Sequence, residues 1–181
     1  MKVVAILGSI SKKSYNRKLA KYMKERYKDK LDIEILTLEN IPMYNEDIEL
    51  TPPNIIIEYR EKIKNSDGLI FITPEYNHSI PGVLKNAIDW FSRVEKVMVN
   101  KPGMIVGASM GMLGTVKAQI HLRQILNSPG VGVITLPGNE VFIGNVIDKM
   151  DEEGNLTHKP TIEFLDQVVD NFIEWINRIN N

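Results

Sequence analysis

Residues 2–16 read KVVAILGSISKKSYN and indicate the fold more directly than any other part of the chain. The run from Lys2 to Leu7 is apolar after its first residue, as expected of a strand buried on both faces of a parallel sheet. Gly8 ends the run, and a loop of small hydroxyl residues leads into a segment with helical spacing from Asn16. A strand, a short loop and a helix in this order form the first unit of a doubly wound α/β fold.

The same alternation continues to the end of the chain. Apolar β-branched runs predict five strands, at Lys2–Leu7, Asp32–Leu38, Gly68–Thr73, Gly103–Ala108 and Val131–Leu136. Helical spacing predicts five helices, at Asn16–Tyr27, Asn54–Asn65, Val83–Val94, Thr115–Leu126 and Thr161–Ile179. We therefore expect one domain over residues 1–181, a flavodoxin-like three-layer α/β/α sandwich around a five-stranded parallel sheet of order 2-1-3-4-5. The segments Ile41–Pro53 and Pro137–Asn155 are expected to be long loops.

The composition excludes several classes of function. The chain has 181 residues, a net charge of −1 and no cysteine. This charge gives no sign of a nucleic-acid or polybasic membrane surface, and the apolar runs are too short to cross a bilayer. Without cysteine there are no disulfides, thiolate metal sites or dithiol reactions, so any redox function needs a bound cofactor. Because the N-terminus lacks a signal-peptide pattern, we expect a cytoplasmic protein that binds neither nucleic acid nor membrane.

Loop 1, Gly8–Asn16, follows the first strand and opens the first helix. In an open parallel sheet, ligands bind at the carboxyl ends of the strands, near the point where the strand order reverses. Hydroxyl side chains and free N–H groups at a helix N-terminus suit a phosphate group, and the loop has neither a dinucleotide fingerprint nor a P-loop pattern. Ser14 taken alone is better explained as the helix cap. The candidate cofactor residues in loop 1 are Ser9, Ser11, Ser14, Tyr15 and Asn16.

Loop 2, Pro74–Gly82, follows the third strand and has a proline near each end. Its backbone amides and polar side chains can meet the edge of a flat heterocycle such as an isoalloxazine ring, and its tyrosine can supply an aromatic wall. The alternative is an ordinary turn. His78 is more simply explained as an exposed, neutral side chain than as a general acid. The candidate cofactor residues in loop 2 are Pro74, Glu75, Tyr76 and Asn77.

Loop 3, Ser109–Thr115, follows the fourth strand. Its glycines allow the backbone to approach a ring closely, although a tight turn alone would need only one of them. Ser109 and Gly111 are the candidate cofactor residues here. No residue pattern indicates a metal site or a side-chain nucleophile, so the chemistry is expected to belong to the cofactor.

The three loops together resemble the NADPH-dependent FMN reductase family, which includes quinone, azo-dye and chromate reductases. The resemblance runs from Val3 to roughly Ile143 and is most specific in PEYNHSIPGVLKNAIDW, residues 74–90. Loop 1 is similar to the family pattern Gly-Ser-x-Arg-x-x-Ser-x-Asn, with matches at Gly8, Ser9, Ser14 and Asn16. Ser11 stands where the family usually has arginine.

The resemblance implies bound FMN as the cofactor and NAD(P)H as the co-substrate. It implies that the serines and Asn16 of loop 1 hold the FMN phosphate. It also implies that Pro74–Asn77 line the ribityl chain and the ring, and that Ser109 and Gly111 lie near the ring.

The residue at position 11 leaves two interpretations open for the phosphate end of the site. An arginine there would make a charge-assisted and potentially bidentate phosphate contact, which Ser11 does not supply. Either Lys12, Lys13 or Arg17 compensates for the loss, or FMN is held more weakly. Lys12 and Lys13 are equally well explained as charges that face solvent.

The family resemblance also implies a homodimer or homotetramer whose flavin pocket lies close to a subunit interface. The third helix is a candidate contact surface, through Leu84, Ile88, Trp90 and Phe91. Leu84 and Ile88 are, however, better explained as core residues. Arg123 and Glu140 are a candidate pair across such an interface.

The sequence therefore predicts an FMN-dependent oxidoreductase that takes a hydride from NAD(P)H and passes electrons, in a ping-pong mechanism, to a small acceptor. Quinones, azo compounds, flavins and metal oxyanions are the candidate acceptors. The alternative is an electron carrier of the flavodoxin type, which docks to protein partners and does not use NAD(P)H. The near-neutral charge and the Ser/Lys composition of loop 1 argue against that alternative. A flavin-free regulatory module is a weaker alternative, because receiver domains carry acidic residues where Gly8 and Ser9 stand.

Overall fold

The computed structural model describes residues 1–181, and all predicted elements except the fifth strand lie within two residues of their predicted bounds. The strands are β1 (Lys2–Leu7), β2 (Asp32–Thr37), β3 (Gly68–Ile72), β4 (Pro102–Ala108), β5 (Ile134–Thr135) and β6 (Val141–Ile143). The helices are α1 (Tyr15–Arg26), α2 (Asn54–Lys64), α3 (Gly82–Ser92), α4 (Val116–Leu126) and α5 (Lys159–Asn180). Single turns of 3-10 helix lie at Glu46–Ile48 and Val146–Asp148. None of the helices combines the length and the apolar composition that a membrane-spanning helix needs.

The strands form one parallel sheet of order β2-β1-β3-β4-β5, which confirms the predicted flavodoxin-like order. β6 also pairs with β4, so the sheet has six strands and the expectation of five is wrong. β5 pairs with the start of β4 and β6 with its end, so the two share one edge of the sheet. The predicted strand Val131–Leu136 is shortened to Ile134–Thr135, and the predicted loop Pro137–Asn155 contains β6.

The break between β5 and β6 has a local cause. Pro137 has no N–H group to donate to a sheet, and Gly138 and Asn139 have positive φ angles of 60° and 51°. A positive φ turns the chain away from an extended path. The Arg123 guanidinium donates to the carbonyls of Leu136 and Gly138 at 3.2 and 3.3 Å, which holds this turn against α4.

Helices cover both faces of the sheet, which confirms the three-layer prediction. Every residue of β3 and β4 is buried, as their continuous apolar runs imply. α1 and α5 pack on one face, and α2, α3 and α4 pack on the other. Because both faces are filled by apolar clusters, of 25 and 23 buried residues, the space for a ligand lies at the ends of the strands.

The apolar residues of α3 belong to the core, so the hypothesis that they form a subunit contact surface is wrong. Leu84, Ile88, Trp90 and Phe91 are each at most 1% exposed. Three of them recur at steps of three and four along the helix, which places them on the face that packs against the sheet. The indole N–H of Trp90 donates to the carbonyl of Pro42 at 2.9 Å and ties the segment before α2 to this helix.

Asp166 of α5 joins the two helices on the other face of the sheet. Its carboxylate accepts hydrogen bonds from Nε and Nη2 of Arg26 at 2.7 and 2.6 Å, and from the hydroxyl of Tyr27 at 2.9 Å. The hydrogen-bonded Arg26 guanidinium lowers the pKa of Asp166 below its ordinary value. A lowered pKa in the folded state means that the ionised carboxylate stabilises the fold at neutral pH.

We expect Asp166→Asn to lower the free energy of unfolding at pH 7 by about 1 kcal/mol, since the pair is partly exposed. The difference from the wild type should shrink as the pH falls below 3.8, the ordinary value. The wild-type carboxyl is then protonated first in the unfolded chain and, at still lower pH, in the folded protein as well. Urea unfolding at pH 7 and at acidic pH measures both values. Asp170→Asn, which removes an exposed ion pair with Lys30 one turn further along α5, should have the smaller effect. An Asp166 effect that is the same at all pH values would contradict the electrostatic explanation.

Candidate functional site

Loops 1, 2 and 3 follow β1, β3 and β4 and meet at the carboxyl edge of the sheet, as predicted. Nine of the eleven predicted site residues line one cavity of about 320 Å³ between the loops. These nine are Ser9, Ser11, Ser14, Tyr15, Asn16, Pro74, Glu75, Tyr76 and Ser109. The cavity is also lined by Lys13, Ala108 and Met110. Ala108 and Met110 were not predicted, and their positions directly before and after Ser109 are the only signal that the sequence gives for them.

The other two predicted residues, Gly111 and Asn77, lie apart from this cavity. Gly111 lines an adjoining cavity of about 470 Å³ formed by Glu75 and the Ser109–Gly114 segment. Asn77 lines neither cavity. It stands at the tip of loop 2, where Asn77 and His78 have positive φ angles of 50° and 64°. Two positive φ angles between a reciprocally hydrogen-bonded Tyr76 and Ser79 are the pattern of a type I′ turn.

Loop 1 carries unused hydrogen-bond donors, including the N–H groups of Lys13 and Tyr15, two residues that line the cavity. Ser14 caps α1, because its hydroxyl oxygen accepts from the N–H groups of Asn16 and Arg17. This confirms the interpretation of Ser14 as the residue that caps the first helix. The backbone N–H groups of Ile10, Lys12, Lys13 and Tyr15 donate to no acceptor in the chain. Free N–H groups at the start of a helix are suited to an anion.

Asn16 uses its side-chain amide to extend the sheet. Its Nδ2 donates to the carbonyl of Ala108 and its Oδ1 accepts from the N–H of Ala108, both at 2.9 Å. The neighbouring N–H, of Ser109, donates to Ile143 on the β6 side. The Asn16 amide thus takes the place of a strand on the opposite side of β4, beyond the end of β3. One N–H of this amide remains for the phosphate contact that the sequence predicts, and that contact stays a prediction.

Glu75 links loop 2 to the start of α4. Its Oε2 accepts from the backbone N–H groups of Lys117 and Ala118 at 2.9 and 3.1 Å. Thr115, the residue at the N-cap position of α4, makes no capping hydrogen bond with its own side chain. A carboxylate from a distant part of the chain therefore caps this helix and interacts favourably with its dipole. The side chain of Glu75 is committed to this contact, and its backbone N–H donates to no acceptor in the chain.

His78 lies at the rim of the site and is not buried in it. Its side chain is 73% exposed, and Nδ1 lies 3.5 Å from Glu75 Oε1 and 3.1 Å from Lys117 Nζ. Nothing in this position holds the imidazole against a ligand in the cavity. The prediction that His78 is an exposed side chain is confirmed.

Loop 3 is closed by its own side chains and by the segment after β6. The hydroxyl of Ser109 donates to the carbonyl of Gly114 at 2.7 Å, and the carbonyl of Gly111 accepts from the N–H of Asn145 at 3.1 Å. Gly144 lies so close that a Cβ atom there would be 2.0 Å from the carbonyl oxygen of Met112. The shape of loop 3 thus depends on residues some 30 positions further along the chain.

Arg123 and Glu140 pair within one chain. Arg123 Nε lies 3.7 Å from Glu140 Oε1, and the same guanidinium holds the turn between β5 and β6. The hypothesis of a pair across a subunit interface is therefore not needed to explain these two residues.

The rim of the two cavities is apolar and exposed. Tyr76, Met110, Met112 and Leu113 are 53, 63, 77 and 64% exposed. Side chains of this kind offer flat or adaptable apolar contacts to a ring. The site therefore combines an anion-binding end at loop 1 with an apolar end at loops 2 and 3, and this donor set fits FMN.

Comparison with known proteins agrees with this chemistry. Residues 1–148 match the family model described as NADPH-dependent FMN reductase. An NADH-dependent flavin reductase subunit 2 of Lactobacillus johnsonii is 39% identical, over 98% of both chains. A quinone reductase of Escherichia coli is 35% identical, over 99% of this chain and 97% of its own length.

A solved structure supports the same relation. The flavoenzyme NAD(P)H:(acceptor) oxidoreductase FerB of Paracoccus denitrificans superposes with a TM-score of 0.90 at 33% identity, over 98% of this chain and 97% of that chain. The resemblance found in the three loops is thereby confirmed over the length of the fold. The chain belongs to the NADPH-dependent FMN reductase family.

Proposed function

We propose that the chain is an FMN-dependent oxidoreductase that takes a hydride from NAD(P)H and passes electrons to a small acceptor, such as a quinone, an azo compound, a flavin or a metal oxyanion. The observation that carries the proposal is the junction of two cavities at the carboxyl edge of the sheet. Free N–H groups at the start of α1 lie at one end of this junction, and exposed apolar side chains lie at the other. The names of the relatives, flavin reductase and quinone reductase, support the same reaction class.

The residues of loop 1 would hold the phosphate. The serine hydroxyls and the free N–H groups of Lys13 and Tyr15 are donors for an anion, and the α1 dipole adds favourable charge. Ser9, Ser11, Ser14, Tyr15 and Asn16 are the proposed residues of this end.

Loops 2 and 3 would hold the ribityl chain and the ring. The backbone N–H groups of Glu75, Asn77 and His78 donate to no acceptor in the chain and are available to the polar edge of a heterocycle. Ser109 and Gly111 line the two cavities on the loop 3 side. Pro74, Glu75, Tyr76, Asn77, Ser109 and Gly111 are the proposed residues of this end.

Bound FMN would supply the hydride and electron transfer, which no side chain of this protein can perform. The chain's own residues bind and orient: loop 1 fixes one end of the cofactor, and the rigid turn of loop 2 fixes the other. Tyr76 and Met110 stand at the open rim, where NAD(P)H and the acceptor would stack in turn. One rim that serves both substrates agrees with a ping-pong order.

We expect the purified protein to be yellow, or to become yellow with added FMN. Anaerobic NADH or NADPH should bleach this colour, and a quinone should restore it. Absorbance titrations with each nucleotide measure this and also show which nucleotide is preferred. A protein that binds FMN but is bleached by neither nucleotide would instead support the electron-carrier alternative, and a protein that binds no FMN would contradict both.

We also propose that residues 1–181 act as a single FMN-binding domain in the cytoplasm, assembled as a homodimer or homotetramer. The single domain is supported by α5, because this last helix packs its apolar residues on the same sheet that carries the site. The assembly into a homodimer or homotetramer is supported by Met112, Leu113 and Ile147, whose apolar side chains are each more than half exposed, because exposed apolar surface is common at interfaces. Light scattering of the FMN-bound protein measures the number of subunits.

A further inference from the structure

The positive charge of Arg17 is already used inside the protein. Its Nε donates to the carbonyl of Ser11 at 3.2 Å, and its Nη2 donates to the carbonyl of Ser9 at 3.4 Å and pairs with the carboxylate of Glu39. The guanidinium therefore supports loop 1 through its carbonyls and is neutralised by Glu39. Lys12, Lys13 and Arg17 are the candidate cations for a phosphate at loop 1. Because its guanidinium is occupied by these contacts, Arg17 is excluded.

Lys13 is in the opposite situation. It is exposed, makes no ion pair within the chain and lines the cavity of about 320 Å³ together with the hydroxyl residues of loop 1. Lys12 is also exposed, but it does not line this cavity. Of these two neighbouring lysines, only Lys13 is thus placed beside the ligand cavity.

The donors around Lys13 point to the same kind of ligand. The N–H groups of Lys13 and Tyr15 are unused, and they lie in the turn that leads into α1 and at its first residue. The hydroxyls of Ser9, Ser11 and Ser14 lie in the same cavity. Unused amides, hydroxyls and an unpaired lysine on residues that line one cavity are the donors that a phosphate dianion needs.

We propose that Lys13 is the side chain that neutralises the phosphate of the cofactor, in place of an arginine at position 11. The proposal rests on the proposed function and concerns only this end of the site. An ammonium on a flexible stem acts as a point charge and lacks the fixed fork of a guanidinium. Binding through Lys13 should therefore depend on salt and should distinguish FMN from riboflavin, which has the same ring without the phosphate.

The test compares the dissociation constants of FMN and riboflavin, measured by quenching of flavin fluorescence. Lys13→Gln should weaken FMN binding about tenfold, the lower end for a charge-assisted hydrogen bond, and should leave riboflavin binding unchanged. Lys21→Gln, which removes an exposed charge further along α1, is the matched control and should bind both flavins like the wild type. In the wild type, FMN affinity should fall with added salt more steeply than in Lys13→Gln.

Three results would overturn the proposal: an FMN affinity that Lys13→Gln leaves unchanged, an equal loss of riboflavin and FMN affinity, or a loss caused by Lys12→Gln in its place. These results differ from a failure of the proposed function itself. In that case the wild-type protein would bind no FMN, and no comparison between FMN and riboflavin would arise.

Discussion

Asn16→Ala is expected to lower the free energy of unfolding by about 3 kcal/mol and to weaken FMN binding at the same time. Asn16 is 2% exposed, and its amide satisfies both the N–H and the carbonyl of Ala108. Alanine would leave these two buried backbone groups without partners, at a cost of about 1–3 kcal/mol each. Because Ala108 lies at the root of loop 3 and Asn16 at the root of α1, the loss also loosens two walls of the site.

Urea unfolding without FMN, followed by an FMN titration, separates the two effects of this variant. Asn54→Ala at the exposed start of α2 is the control for the residue type, and it should stay within about 0.5 kcal/mol of the wild type. A loss of less than about 1 kcal/mol for Asn16→Ala would show that water or a backbone shift replaces the amide, and the strand-like role of Asn16 would then be wrong.

The sequence is sufficient to predict the fold because its strong signals are local. Strands buried on both faces must be continuously apolar, and Lys2–Leu7 and Gly68–Ile72 satisfy this without help from distant residues. The break of the edge strand was not predicted. Pro137 and Gly138 mark a turn in any fold, but only the pairing of both flanking segments with β4 shows that the turn interrupts a strand.

The position of the site could be predicted, but the use of its side chains could not. Parallel strands bring their carboxyl ends together, so the three loops had to meet. Asn16, Glu75 and Ser109 are polar residues that suit a cofactor, yet each uses its side chain inside the protein. Asn16 and Glu75 join their loops to distant parts of the chain, and Ser109 closes loop 3 on itself. A hydrogen bond between residues 92 positions apart leaves no pattern in the sequence.

Lys12 and Lys13 are a second case in which the sequence does not show how a side chain is used. Both follow the serines of loop 1, and composition alone treats them as equal. The direction of each side chain depends on the φ and ψ angles of one tight turn, which only the folded loop defines.

Gly107→Ala is expected to have an effect as large as that of Asn16→Ala, a loss of about 3 kcal/mol in the free energy of unfolding, which is the upper end of the usual cost of overpacking. A Cβ atom at Gly107 would lie 2.0 Å from Oγ1 of Thr115 and 2.4 Å from the carbonyl oxygen of Thr73. Neither atom is free to move. The N–H of Thr73 donates to the carbonyl of Val106 at 3.0 Å, and Gln119 Nε2 donates to Thr115 Oγ1 at 3.0 Å.

Thr73 begins the turn into loop 2 and Thr115 ends loop 3, so a side chain at Gly107 would also force these two loops apart. We therefore expect any Gly107→Ala protein that folds to bind FMN more weakly than its loss of stability alone would cause. Gly82→Ala is the matched control, because no atom lies within 4 Å of its Cβ position, and it should unfold and bind FMN like the wild type. Equal stability of the two variants in urea unfolding would mean that Thr73 and Thr115 can move away from β4 without lowering the free energy of unfolding. The close spacing of loops 2 and 3 would then not depend on a glycine at this position.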